Sequence, residues 1–128
     1  MRKKRHLLRQ ELMEILYQHR LLDKDLFILS ESYEFNPVDE DSAFILKLME
    51  FIHINEEVLI EKLSTYLKEW EFERIPHVDQ AILLMGSAEL ERALEDRAVI
   101  IDEAVLLAKT FSDDEAYKYI NAILDAYE

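Results

Sequence analysis

A single glycine, Gly86, and two prolines, Pro37 and Pro76, stand in a chain of 128 residues. Tight hairpins draw on Gly, Asn and Asp for their turns, and this chain offers almost no such turns. Leu, Ile, Glu, Lys and Ala dominate instead, and most of these are good helix formers. The expected fold class is therefore all-α. Half of the residues are apolar, enough to build a core despite the high charge. The length suits one domain spanning 1–128, able to bury roughly two thirds of its unfolded surface.

The apolar residues recur at helical spacing along most of the chain. Leu8, Leu12, Ile15 and Leu16 predict a first helix over about 4–19. Asp23 is a candidate N-cap for a second, through Leu26 and Leu29 to about Tyr33, which Asn36-Pro37 breaks. Phe44, Leu48, Phe51 and Ile52 open a long helical segment over about 39–67, in which Asn55 marks a kink or a break. Pro76 suits the first turn of a helix over about 76–93, whose Ala-Ile-Leu-Leu-Met-Gly run is apolar on nearly every side and so central. Ile101, Ala104, Val105 and Ala108 form the next stripe. Ser112 and Glu115 read as a capping box ahead of a last helix with Ala116, Ile120, Ile123 and Tyr127 inward. The sum is six or seven helices in one bundle.

Charge is unevenly placed. Residues 1–20 hold six basic groups against two acids, and the other 108 hold 9 against 26, within a net charge of −13. An acidic body repels nucleic acid at long range, so any contact with RNA or DNA must be local. Arg2, Arg5 and Arg9 share one face of the first helix and form the obvious place for it. The chemistry of enzymes is not visible. There is no cysteine, which removes thiol catalysis and Cys-ligated zinc. The four histidines, at 6, 19, 53 and 77, have no helical metal spacing. One glycine cannot make a phosphate-cradling loop. Asp39-Glu40-Asp41 and Asp113-Asp114-Glu115 sit at predicted helix starts, where carboxylates meet the helix dipole favourably and no metal is needed to explain them. No cofactor is expected, and no uncharged run approaches the ~20 residues of a membrane span. A cytoplasmic protein is the expectation.

Three stretches carry a resemblance. They are Arg5-His-Leu-Leu-Arg-Gln-Glu-Leu-Met-Glu-Ile-Leu-Tyr17, the segment from Trp70 to Leu84, and the segment from Ile101 to Asp125. In this order and spacing they resemble the NusB family of bacterial transcription antitermination factors, over nearly the whole chain. The resemblance implies an all-helical fold of two packed three-helix units and no catalytic activity. It implies binding to boxA-type single-stranded RNA of ribosomal RNA leaders together with NusE, a ribosomal protein, in an antitermination complex on RNA polymerase. Some family members dimerise, so a homodimer is one state left open.

By position, Arg5, His6 and Arg9 match the family's basic motif, extended by Arg2, Lys3 and Lys4. Lys118 and Tyr119 match a Lys-Phe pair near the RNA, and Glu115 a neighbouring acid. Tyr119 is equally placed for a core stripe. Tyr17 and Asp79 match positions tied to function or to NusE, with helix-end packing and a first-turn dipole acid as the plainer roles. The chain departs from the pattern at Leu7, Leu84, Ala88, Asp102, Ser112 and Ala122. The competing expectation is a NusB-like module that has lost RNA binding and engages only protein.

Overall fold

The computed structural model describes residues 3–128. Arg2, placed with the basic face by the sequence, lies outside the described residues. Among those residues there are six α-helices and no strand: α1 (Arg5–Leu22), α2 (Leu26–Ser30), α3 (Glu40–Ser64), α4 (His77–Arg92), α5 (Arg97–Phe111) and α6 (Ala116–Ala126). A turn of 3₁₀ helix, Phe72–Arg74, precedes α4.

α1 buries Leu8, Leu12, Ile15 and Leu16 as their spacing requires, but it runs three residues past the expected end. It stops at Asp23, which takes the left-handed conformation at φ 55° and returns its N–H to the His19 carbonyl at 2.9 Å. Asp tolerates that conformation better than most side chains. Asp23 therefore ends α1 rather than starting α2. The N-cap of α2 is Asp25, whose carboxylate accepts from the N–H groups of Phe27 and Ile28 at 2.8 and 3.2 Å. α2 ends at Ser30, earlier than expected.

α3 is unbroken for 25 residues. Asn55 does not end it, and its side-chain amide donates to the Phe51 carbonyl one turn back, at 2.9 Å. Asp39 caps its start by accepting from Ser42 N–H at 3.0 Å. Pro76 is the N-cap of α4 and sits just ahead of the helix. Every residue of α4 from Asp79 to Glu89 is buried.

α4 is the central element. It packs against α1 and α3 on one side and α5 and α6 on the other, joining a unit of α1–α3 to a unit of α4–α6. Gly86 is needed where α6 crosses it. A Cβ there would come within 2.8 Å of the Leu124 Cδ1 atom, so a larger residue would force the buried Leu124 side chain to shift. The end of α6 is tied to the start of α5: Arg97 Nη2 donates to the carbonyls of Leu124, Asp125 and Tyr127 at 2.6–2.8 Å. These are carbonyls the helix cannot satisfy itself.

The predicted capping box does not form. Glu115 is the N-cap of α6 without a side-chain cap bond. Ser112 ends α5, and its hydroxyl donates to Asp79, 33 residues earlier. A long-range acceptor outcompetes the local one.

Candidate functional site

The expected site residues fall at opposite ends of the molecule. α1 and α4 run antiparallel, as the bonds Arg9–Glu89 and Arg20–Gln80 require. Lys3, Arg5, His6 and Arg9 lie at one end of the pair. Glu115, Lys118 and Tyr119 lie at the other, by the start of α4. From Arg5 to Arg20 the helix rise gives a separation of about 22 Å.

At the first end, Lys3, Arg5, His6 and Arg9 each have a carboxylate partner, while Lys4 is exposed. Lys3 Nζ sits 3.0 Å from a Glu11 oxygen and 2.8 Å from the Glu34 carbonyl. Arg5 lies 4.2 Å over the Phe44 ring. It reaches Asp41 at 2.8 Å and Glu95 at 2.5 Å, with a quarter of its side chain exposed. His6 Nδ1 is 2.7 Å from Glu103. The acids come from α1, the first turn of α3, the α4–α5 loop and α5.

Arg9 differs in kind. It is 2 % exposed and donates through Nε and Nη2 to both oxygens of Glu89, itself 3 % exposed, at 2.7–3.2 Å. The expected basic stripe of Arg5 and Arg9 is thus not a surface stripe: Arg5 borders solvent and Arg9 is buried. Burial opposes charge on Arg9, but the Glu89 hydrogen bonds and the carboxylates of Glu89, Glu103 and Glu95 hold it above its ordinary value. Burial pushes the Glu89 carboxyl up, and Arg9 offsets this only in part.

At the second end, Asp79 is 1 % exposed. It accepts from the hydroxyls of Ser112 and Tyr119, joining α4, the α5–α6 turn and α6. Its side chain is held inside the protein by these two hydroxyls. Burial, then the Asp79 hydrogen bond, drives the Tyr119 phenol well above its ordinary range, so Tyr119 is neutral. Lys118 and Glu115 are exposed and pair with each other at 2.6 Å. Tyr17 is 38 % exposed on α1.

The sequence reading missed Trp70 as a site residue. It is 64 % exposed, an unusual position for so large an apolar ring. It borders a cleft of about 370 Å³ with Arg74, Ile75, Asp79, Glu115 and Tyr119. The available signal was a tryptophan standing where the helical period loosens, beside Pro76. Among the described residues, no group of His, Asp or Glu is placed to hold a metal ion, and no helix is long and apolar enough to cross a membrane.

The fold and this geometry define a small all-helical protein built on one buried helix, with paired charge at one end and an aromatic cleft at the other. The chain belongs to the NusB family, whose profile matches residues 6–128. It is 39 % identical over 119 residues to the transcription antitermination protein NusB of Staphylococcus haemolyticus, covering 91 % of this chain and 92 % of that one. The Staphylococcus aureus (strain Newman) protein of the same name is 38 % identical over 120 residues, with the same coverage. Among solved structures, T. maritima NusB superposes with a TM-score of 0.87 at 28 % identity, over 98 % of this chain and 90 % of that one. A chain from the crystal structure of a plectonemic RNA supercoil has the same fold, with a TM-score of 0.84 at 23 % identity over 99 % of this chain and 94 % of that one. The family is one of transcription antitermination factors, not of enzymes.

Proposed function

We propose that this chain is an RNA-binding antitermination factor of the cytoplasm. It holds boxA-like single-stranded RNA together with NusE, in a complex on RNA polymerase at ribosomal RNA operons. The observation that carries the reading is the edge of Lys3 and Arg5, cationic side chains at the surface of a protein with net charge −13, with the His6 imidazole beside them. Arg9 supports this edge from beneath, by sharing Phe44 and Glu95 with Arg5. The RNA-supercoil structure of a chain with this fold is consistent with a nucleic-acid role.

A strand leaving this edge along α1 would reach the Trp70–Tyr119 cleft, with Lys118 beside it. Trp70 offers an open ring face for an unpaired base, a contact worth ~1–3 kcal/mol. Tyr119 is half-committed to Asp79 and lines the cleft rather than projecting from it. Tyr17, exposed on α1, is left for NusE.

The test is a mobility shift with boxA-like RNA, with and without NusE, on the unchanged protein and on Lys3→Glu/Arg5→Glu. RNA binding at about 50 mM salt that the double variant loses, while it keeps NusE, supports the reading. No RNA binding in either mixture overturns it. The second reading, a NusB-like protein-interaction module without RNA binding, is favoured by the carboxylate pairing of Lys3, Arg5, His6 and Arg9. It predicts NusE binding alone.

A further inference from the structure

Asp41, Glu95 and Glu103 come from three separate elements and converge on Arg5 and His6. Glu95 also lies 3.6 Å from Arg9. None of the three is a helix neighbour of its cation. Glu95 is 90 residues from Arg5 in sequence, and Glu103 is 97 from His6. Each presents a carboxylate oxygen at the hydrogen-bonding distance a phosphate oxygen would take on the same donor.

We infer that Glu95 and Glu103, with Asp41, act as built-in phosphate mimics that set the affinity of the α1 edge for RNA. This inference rests on the RNA-binding reading above. An arriving phosphate takes the place of a carboxylate instead of water. The displaced carboxylate stays tethered within a few ångströms of the phosphate and repels it. It also gathers a counterion from solution as the RNA releases one. The chain alone therefore binds RNA weakly and with a shallow salt dependence. A strand able to hold the edge must combine displacement with further contacts, so the acids select against isolated phosphates and short random contacts.

The charge chemistry makes the experiment specific. Single-strand binding falls with salt at a log–log slope of about −0.7 per phosphate neutralised. Glu95→Gln/Glu103→Gln keeps shape and hydrogen bonding but removes the competing charges. Both side chains are about a quarter exposed, so neither substitution leaves a buried ion unpaired. The control is Glu57→Gln/Glu61→Gln, the same charge change on exposed residues of α3, about 24 Å along the helix from Asp41.

Each protein is titrated with boxA-like single-stranded RNA between about 50 and 200 mM salt, with circular dichroism reporting the fold. The Glu95/Glu103 variant is expected to bind about three- to thirtyfold more tightly at the lowest salt, a gain of the size exposed ion pairs carry. Its slope should steepen by about 0.7 as Arg5, relieved of Glu95, neutralises one phosphate. The control should change affinity less than about twofold. If the unchanged protein binds and the variant binds no tighter, or the control gains as much, the inference is overturned while the RNA reading stands. If no protein binds RNA at about 50 mM salt even with NusE, the RNA reading itself falls, and the inference with it. Should the double variant lose helicity, Glu95→Gln alone serves the same comparison.

Discussion

At the scale of single residues, the buried Arg9–Glu89 pair is the sharpest case. Two desolvated charges facing each other seldom add net stability, yet removing one strands the other. Arg9→Met is expected to cost about 3–5 kcal/mol in urea unfolding, because Glu89 would remain buried without its guanidinium. Arg9→Met/Glu89→Leu should recover most of that loss, and a double variant as unstable as the single one would show the pair to be net stabilising. His19 and Glu56 make a second, titratable case. The imidazole lies 2.8 Å from Glu56, which also takes Arg20 at 3.0 Å. The Glu56 hydrogen bond lifts His19 above its ordinary 6.5. Burial would raise Glu56, but the hydrogen bonds and charges of His19 and Arg20 hold it below its ordinary 4.5. The His19 contribution is thus complete below pH 6.5 and is lost as pH rises through the folded-state value. The Glu56 contribution is complete above 4.5 and is lost as pH falls through its lowered value. The stability difference between the protein and His19→Gln should therefore peak between about pH 4.5 and 6.5 and shrink on both sides. A difference that keeps growing as pH rises above 6.5 in denaturant titrations would refute the pairing.

At the scale of elements, the Arg97 side chain and the Asp79 cluster decide how α5 and α6 close onto α4. Arg97→Ala leaves the carbonyls of Leu124, Asp125 and Tyr127 without that donor. The expected outcome is faster amide exchange in the last turn of α6 and a loss of about 1–3 kcal/mol. Exchange unchanged there would mean that water serves those carbonyls as well. The same elements show what a linear pattern conveys. Leu8, Leu12, Ile15 and Leu16 reveal α1, and the apolar run through Gly86 reveals the buried α4, because periodicity within an element reports which face is inside. The Ser112–Glu115 spacing misleads, because Asp79 lies far away in sequence and claims the hydroxyl. Arg5 and Arg9 read as one basic face for the same reason. Their neutralising acids arrive from 36 to 90 residues away, and nothing near α1 in the chain announces them. Trp70 was visible in the sequence, but its exposure depends on how the segment before Pro76 crosses the end of the bundle.

At the scale of the whole molecule, the two ends of α1 do different physical work. The Lys3–Arg5–His6 edge offers charge above aromatic rings, with Phe44 under Arg5 and Phe35 near Lys3. The other end offers the Trp70 ring in a cleft lined by more acid than base, Asp79, Asp113 and Glu115 against Arg74, with Lys118 matched by Glu115. The span of about 22 Å between them means one short oligonucleotide cannot hold both. Length and salt then separate the two contributions. Trp70→Ala should weaken a long boxA-like RNA by about five- to a hundredfold, the range expected for losing one base stack. It should leave the salt slope unchanged, because stacking releases no counterions. Arg5→Glu should flatten that slope. An oligonucleotide too short to bridge the ends should respond to Arg5→Glu or to Trp70→Ala, not to both. If Trp70→Ala flattens the salt slope, or if the shortest RNA that binds loses affinity equally with either substitution, the ends do not act separately. The strand would then have to follow a path other than the length of α1.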